Sequence, residues 1–329
     1  MKTILYHLFV FLFFVTIPKS HCQSLSGITN QPDSSYNTRA AYEQTVKTHP
    51  DSKVVKEFSF ANVTEKRNIT YRSIGKRELK LEAFYPKEKS ATPAIAILIV
   101  HGGGWRSGNR TQHYPLAQKL ASLGYVCFTP EYRLSTEALF PAAIFDIKTA
   151  IRWAKQNAVL YNIDATKIVV MGFSAGGELS AFMGTTGNMP LFEGESLENI
   201  STTINAVIDI DGTLSFVHPD CREGDDSKRT SAATYWFGYP KKDNLKLWEA
   251  ASPLSYVSGT TPPTLFLNSS VAPMHAGRQD YINVLNEHSI YSEVHEFEGA
   301  PHSFCLFDPW FEPTVSYIDG FLKKVFGGK

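Results

Sequence analysis

Cysteine is scarce, with 4 thiols in 329 residues. Cys22 lies in an N-terminal segment treated below, and Cys127, Cys221 and Cys305 are too few and too dispersed for a disulfide scaffold or a closely spaced zinc site. Cys127 falls inside an apolar run and reads as a small core residue; Cys221 and Cys305 are the pair left for a single bridge. Net charge is lacking too. Lys plus Arg (32) and Asp plus Glu (32) cancel, so no global field gathers nucleic acid or an anionic membrane. Long apolar runs are also missing. Leu8 to Ile17 is about half the roughly 20 residues a spanning helix needs. Set between Lys2 and the polar stretch Pro18-Lys19-Ser20-His21-Cys22-Gln23, it has the form of a secretory signal, with Ser20 and Cys22 placed for cleavage before Gln23. We therefore expect residues 1–22 to be a signal peptide, the product secreted or periplasmic, and no stable membrane insertion after removal. An uncleaved anchor is the alternative, and Lys-Ser-His before Cys22 makes a poor lipidation box.

What is present is globular. A hydrophobic share of 43% with 19% charged residues excludes disorder, collagen and coiled coil for most of the chain. Residues 23–52 are rich in Ser, Asn, Gln and Thr without a sustained apolar period, which predicts a flexible leader. From Lys53 the pattern changes. Leu79 to Tyr85 largely alternates in polarity, as a strand near a sheet edge does, whereas Ala94 to Val100 is continuously apolar, as a strand covered on both faces must be. Helices are expected at Tyr114–Leu123, Ala142–Ala158, from Ser174, at Asp280–Glu287 and at Pro313–Val325. Between them strands are expected at Tyr125–Thr129, Lys167–Gly172, Ile204–Ile210, Thr264–Leu267 and Ser292–Phe297. This alternation predicts an α/β fold, a mostly parallel doubly wound sheet with helices on both faces. Residues 214–261 interrupt the rhythm, and their aromatics suit a small cap over the strand ends, where open α/β sheets bind ligands.

Three stretches carry chemistry. Gly172-Phe173-Ser174-Ala175-Gly176-Gly177 follows an apolar strand and opens a helix, the context of a nucleophile elbow. Alone, G-x-S-x-G is a weak signal. His101-Gly102-Gly103-Gly104-Trp105 follows the other buried strand, and its glycines let the backbone present N–H groups to an anion. Neither phosphate-loop pattern, G-x-x-x-x-G-K-S/T or G-x-G-x-x-G, is present. Gly103, Gly104 and Ala175 are the expected oxyanion donors. His302, in the loop after the last strand, is placed to take and return the Ser174 proton.

Together with Glu131-Tyr132-Arg133-Leu134, Phe140-Pro141-Ala142, Asp146, Ile151-Arg152-Trp153 and Ile163-Asp164, these motifs resemble the α/β-hydrolase superfamily. Within it they are most similar to HGGGW-bearing carbohydrate esterases, of feruloyl-esterase-like and acetyl-esterase type. The resemblance covers residues 53–329 and implies a serine ester hydrolase that needs no metal or organic cofactor. It departs at one place. The family's acid follows the penultimate strand, where this chain reads Asn268-Ser269-Ser270-Val271-Ala272-Pro273, with Ala272 at the acid position. Asp211, ending the strand beside the nucleophile strand, and Asp280, past Ala272, are the candidates for orienting His302; a Ser-His dyad or an inactive protein is the remaining alternative.

For substrate binding we expect Trp105, His275, Arg278 and Asp280, with Arg278 able to grip a carboxylate in a bidentate fork or simply to pair with Asp280. Trp310 and Phe311 are further aromatics suited to sugar rings. The expected partner is an esterified carbohydrate or a small ester, with acetyl, methyl or feruloyl groups on plant polysaccharide. A formamidase or peptidase-like hydrolase and a catalytically inactive carbohydrate-binding module are the competing readings.

Overall fold

A computed structural model describes residues 27–31, 33–194 and 199–327. The expected signal peptide and the first residues of the leader lie outside them. An open sheet of eight strands organises the chain, in the order β2 (Val63–Ile74), β3 (Arg77–Pro86), β5 (Val126–Pro130), β4 (Ala94–Val100), β6 (Ile163–Phe173), β7 (Ala206–Ile210), β8 (Thr264–Asn268) and β9 (Ser292–Glu296). β2, β3 and β5 pair antiparallel and all other neighbours pair parallel. A small ribbon joins β1 (Lys53–Val54) to β10 (Phe307–Asp308).

β4, and β6 from Ile168 to Met171, are continuously apolar because alternate residues feed two separate cores. Leu98 and Val170 point into one core with Ile147 of α3 (Ala142–Gln156) and Leu179 of α5 (Ala175–Thr185). Ile97, Ile99, Val169 and Met171 point into the other, with Leu116 of α2 (Tyr114–Ser122) and Ile318 of α9 (Phe311–Phe326). This is the doubly wound arrangement expected. α1 (Thr38–Thr45) lies in the leader, α4 (Ala158–Tyr161) follows α3, α6 (Ala232–Phe237) and α7 (Leu245–Ala250) occupy the insertion between β7 and β8, and α8 (Arg278–Glu287) links β8 to β9. Asp146 of α3 is buried and accepts from Arg133 Nε at 2.9 Å and from Arg72 of β2, which clamps the antiparallel edge to the helix layer. Among the described residues no helix is long and apolar enough to cross a membrane. Cys127, Cys221 and Cys305 are buried free thiols, so the one possible bridge is not formed.

Candidate active site

The parallel strands β4, β6 and β7 end along one rim of the sheet, and their following turns build the site. β6 runs into α5 through Ser174, whose φ of 57° lies in the left-handed region that non-glycine residues rarely occupy. Glycine is required on both sides. A Cβ on Gly172 would stand 2.2 Å from Gly176 O, and one on Gly176 would stand 2.1 Å from Val100 O. The Ser174 N–H donates to Ile210 O at 2.8 Å, tying the turn to the end of β7. Its side chain is thereby held above the sheet.

Across the rim, Ser174 Oγ lies 2.9 Å from His302 Nε2, and His302 Nδ1 lies 2.8 Å from Asp211 Oδ2. Asp211 is the residue after β7, fully buried, with φ 55°. Burial alone would raise its pKa. Contact with His275, the hydrogen bond and charge of His302, and the Ser269 hydroxyl outweigh burial and hold the carboxyl well below the usual carboxylate range. An ionised Asp211 accepts a hydrogen bond from Nδ1–H and so holds the proton on that nitrogen, which leaves Nε2 free to accept from the Ser174 hydroxyl. The stretch that lacks the family's acid supplies donors to this one. Ser269 N–H donates to Asp211 Oδ1 at 2.8 Å, Asn268 Nδ2 donates at 3.3 Å, and the Ser269 hydroxyl donates to Oδ2. The amide of Asn268 and the hydroxyl of Ser269 reach Asp211 because β8 lies beside β7, an adjacency that chain order alone does not state.

The glycine loop follows β4. Gly103 has φ 126° and Gly104 φ 59°, and a Cβ on Gly103 would stand 2.2 Å from Ser107 O. Among the described residues, the N–H groups of Gly103 and Gly104 donate to no protein acceptor. Ala175 opens α5, so its N–H has no acceptor within the helix and sits at the positive end of the dipole. The loop is fixed from behind by Gln112, whose side-chain oxygen accepts from Gly102 N at 2.7 Å, and by Tyr132, whose hydroxyl donates to His101 O at 3.0 Å. Ser174, His302, Asp211, Gly103, Gly104 and Ala175 all border one cleft of about 680 Å³, walled on one side by residues 222–235 of the insertion.

The expected binding residues are placed differently. Trp105 borders the cleft but is only 3% exposed; its ring stacks on Trp236 at 4.7 Å and its Nε1 donates to buried Glu178 at 2.9 Å, so little of the ring is presented to a sugar. Phe311 is buried in the second core, and Trp310 packs edge-on against His49. Arg278 donates to Asn268 at 2.7 Å and pairs with Glu296 at 2.7 Å, behind Asp211 and away from the cleft. Asp280 is more than half exposed and faces His218 at 3.7 Å, making no contact with His302. His275 lies beside the acid, with Nε2 3.5 Å from Asp211 Oδ1, longer than a firm hydrogen bond, and no other partner among the described residues. The residue types were right for a binding surface. Core packing absorbed Phe311 and most of Trp105, and local pairing absorbed Arg278 and Asp280.

The BD-FAE family model matches residues 81–276, more than half of the chain. Among curated relatives, the esterase LipC of Mycobacterium tuberculosis is 32% identical over 74% of this chain and 62% of its own length. The probable carboxylic ester hydrolase LipM of the same organism is 30% identical over 79% of this chain and 61% of its own. The chain thus spans about three fifths of the length of these relatives. Among solved structures, a thermophilic esterase of Thermogutta terrifontis with propionate bound superposes with a TM-score of 0.63 at 26% identity, covering 81% of this chain and 95% of that one. A truncated carbohydrate esterase from gut microbiota shares the fold with a TM-score of 0.69 at 23% identity, covering 82% of this chain and 100% of that one.

Proposed function

Since this chain belongs to the BD-FAE family, we propose that it is an exported serine carboxylic ester hydrolase working through an acyl-enzyme. The observation that carries this reading is the unbroken hydrogen-bonded chain from Ser174 through His302 to Asp211. Ser174 attacks the ester carbonyl as His302 Nε2 takes its proton. The N–H groups of Gly103, Gly104 and Ala175 hold the negative charge that develops on the carbonyl oxygen. The tetrahedral intermediate collapses, the C–O bond to the alcohol breaks, and His302 returns the proton to the departing oxygen. Water, activated by the same imidazole, then hydrolyses the acyl-enzyme and restores the Ser174 hydroxyl. Asp211 stays ionised throughout, orienting the ring and stabilising the imidazolium.

The substrate class we assign is an esterified carbohydrate, with acetyl, methyl or feruloyl esters of plant polysaccharide as candidates. The cleft supports this: hydroxyls and charges of Ser35, Glu223, Asp225, Arg229, Thr230 and Ser231 line it, and sugars are held by such groups. Export rests on the short apolar run behind Lys2. A fluorophosphonate probe tests the chemistry directly, with peptide mass mapping to locate the label. Labelling at Ser174 with turnover of p-nitrophenyl acetate is expected, both abolished by Ser174→Ala. A folded protein that leaves Ser174 unlabelled defeats the proposal and favours a binding module.

A further inference from the structure

The leader, expected to be flexible, is built into the cleft. Arg106, two residues past Gly104, donates through Nε to Asp33 Oδ2 at 2.8 Å and through Nη1 to Gly27 O at 3.0 Å. The same guanidinium lies 4.3 Å over the ring of Tyr235 in the insertion. One side chain of the glycine loop therefore gathers the leader and the insertion. Asp33 also bridges Ser107 in parallel register, and the N–H groups of Thr29 and Asn30 both donate to Thr136 O, at 3.0 and 2.8 Å. Further on, the Tyr36 hydroxyl lies 3.4 Å from Ser303 Oγ, on the residue after His302. Asp33, Ser35 and Tyr36 line the cleft that holds Ser174.

Which half of an ester this wall meets follows from the chemistry. His302 Nε2 must reach the departing oxygen to protonate it, so the alcohol lies on the His302 side of the reacting carbon. Tyr36 is the leader residue joined to the His302 loop. We infer that the leader, through Ser35 and Tyr36, forms the subsite for the alcohol portion of the ester and discriminates among leaving groups, not among acyl chains. This rests on the ester-hydrolase reading above. Asp33 with Arg106 is the clasp that keeps the wall in place.

Two substrate pairs separate the halves: p-nitrophenyl acetate against an acetylated xylo-oligosaccharide changes only the alcohol, and p-nitrophenyl acetate against the butyrate changes only the acyl chain. In the full chain, Tyr36→Ala should lower kcat/KM for the saccharide ester relative to p-nitrophenyl acetate by about tenfold, the scale of a single pocket contact. Asp33→Asn, a substitution at a half-buried site, should move the ratio the same way by less, and Tyr36→Phe should keep it near the unaltered value. The acetate-to-butyrate ratio should hold in all three. An active enzyme whose saccharide ratio is unchanged or raised in both Tyr36→Ala and Asp33→Asn, or whose change follows the acyl chain, overturns the inference alone. An unaltered chain that turns over no ester overturns the ester-hydrolase reading and this inference with it.

Discussion

Asp211 receives hydrogen bonds from His302, Ser269 and Asn268 while fully buried, so its charge is matched by donors on three sides. Replacing it with Asn puts an amide hydrogen against one or more of those donors and removes the acceptor that fixes the His302 tautomer. Asp211→Asn should therefore reduce kcat by the order of 10⁴, as loss of the orienting carboxylate does in serine triads, with labelling of Ser174 slowed in parallel. Asp280→Asn should leave turnover within a factor of about two, because Asp280 faces only His218 and solvent and surface substitutions of that kind are close to neutral. A folded Asp211→Asn protein of near-native turnover would remove this residue from the relay. Ser174 and His302, 2.9 Å apart between Oγ and Nε2, were picked out of the sequence on different grounds: Ser174 by the glycines of its strand-to-helix turn, His302 by its place after the last strand. The acid was legible only as a choice of two, since chain order does not state which strand end comes within reach of the imidazole. Sheet order explains which of the two meets His302: β7 lies between β6 and β8, so Asp211, the residue after it, stands between Ser174 and the donors at 268–269.

In the proposed reaction the glycine loop acts through its backbone and not its side chains. Gly103 combines a φ of 126° with a Cβ position 2.2 Å from the Ser107 carbonyl; any side chain must push the loop away and re-aim its N–H. Gly103→Ala should lower kcat by about 10² to 10³, the range for losing an oxyanion donor. Gly124→Ala is the control for strain alone: its φ is 104° but no atom lies within 4 Å of the added Cβ. It should cost stability of about 1 kcal/mol and leave kcat unchanged. Equal losses of kcat in the two variants would refute the oxyanion role. Continuously apolar β4 was readable to the residue, and β7, apolar but for Asp209, to within two residues. β2 was not, because Val63-Thr64-Glu65-Lys66-Arg67-Asn68 carries charges on a largely solvent-facing strand with register shifts, and no period of two survives there. The docking of the leader was hidden for a related reason. Its hold on the domain is scattered over Asp33, backbone groups and single residues such as Tyr36, Ala41 and Tyr42 against the second core, which leave no sustained apolar period.

Over the whole molecule, two sets of buried ionisable groups set opposing responses to pH. Burial lowers His113 from its ordinary 6.5 to about 3, with His101 adding to the effect, and burial lowers His101 to about 4. The unfolded chain takes up these protons below about pH 6.5 while the folded one does not, so their contribution to stability is present above 6.5 and lost as pH falls toward the folded values. Buried carboxyls act the other way. Burial pushes Glu178 well above its ordinary 4.5 against the hydrogen bond from Trp105, with Asp209 adding to the rise, and burial raises Asp209 likewise. Their stabilisation is complete below the ordinary carboxylate range and is lost as pH rises toward the folded values. Each group alters stability by up to about 1.4 kcal/mol per pH unit inside its window, so between about pH 4.5 and 6.5 the two sets pull in opposite directions. Single substitutions expose the opposition. His113→Leu should gain stability relative to the unaltered chain progressively as pH falls below 6.5. Glu178→Gln, which keeps an acceptor for Trp105 without an ionisable group, should gain relative stability progressively as pH rises above 4.5. Thermal unfolding of the three proteins at half-unit pH steps measures both slopes, and parallel profiles would show that these side chains titrate alike in the folded and unfolded states, contrary to their burial.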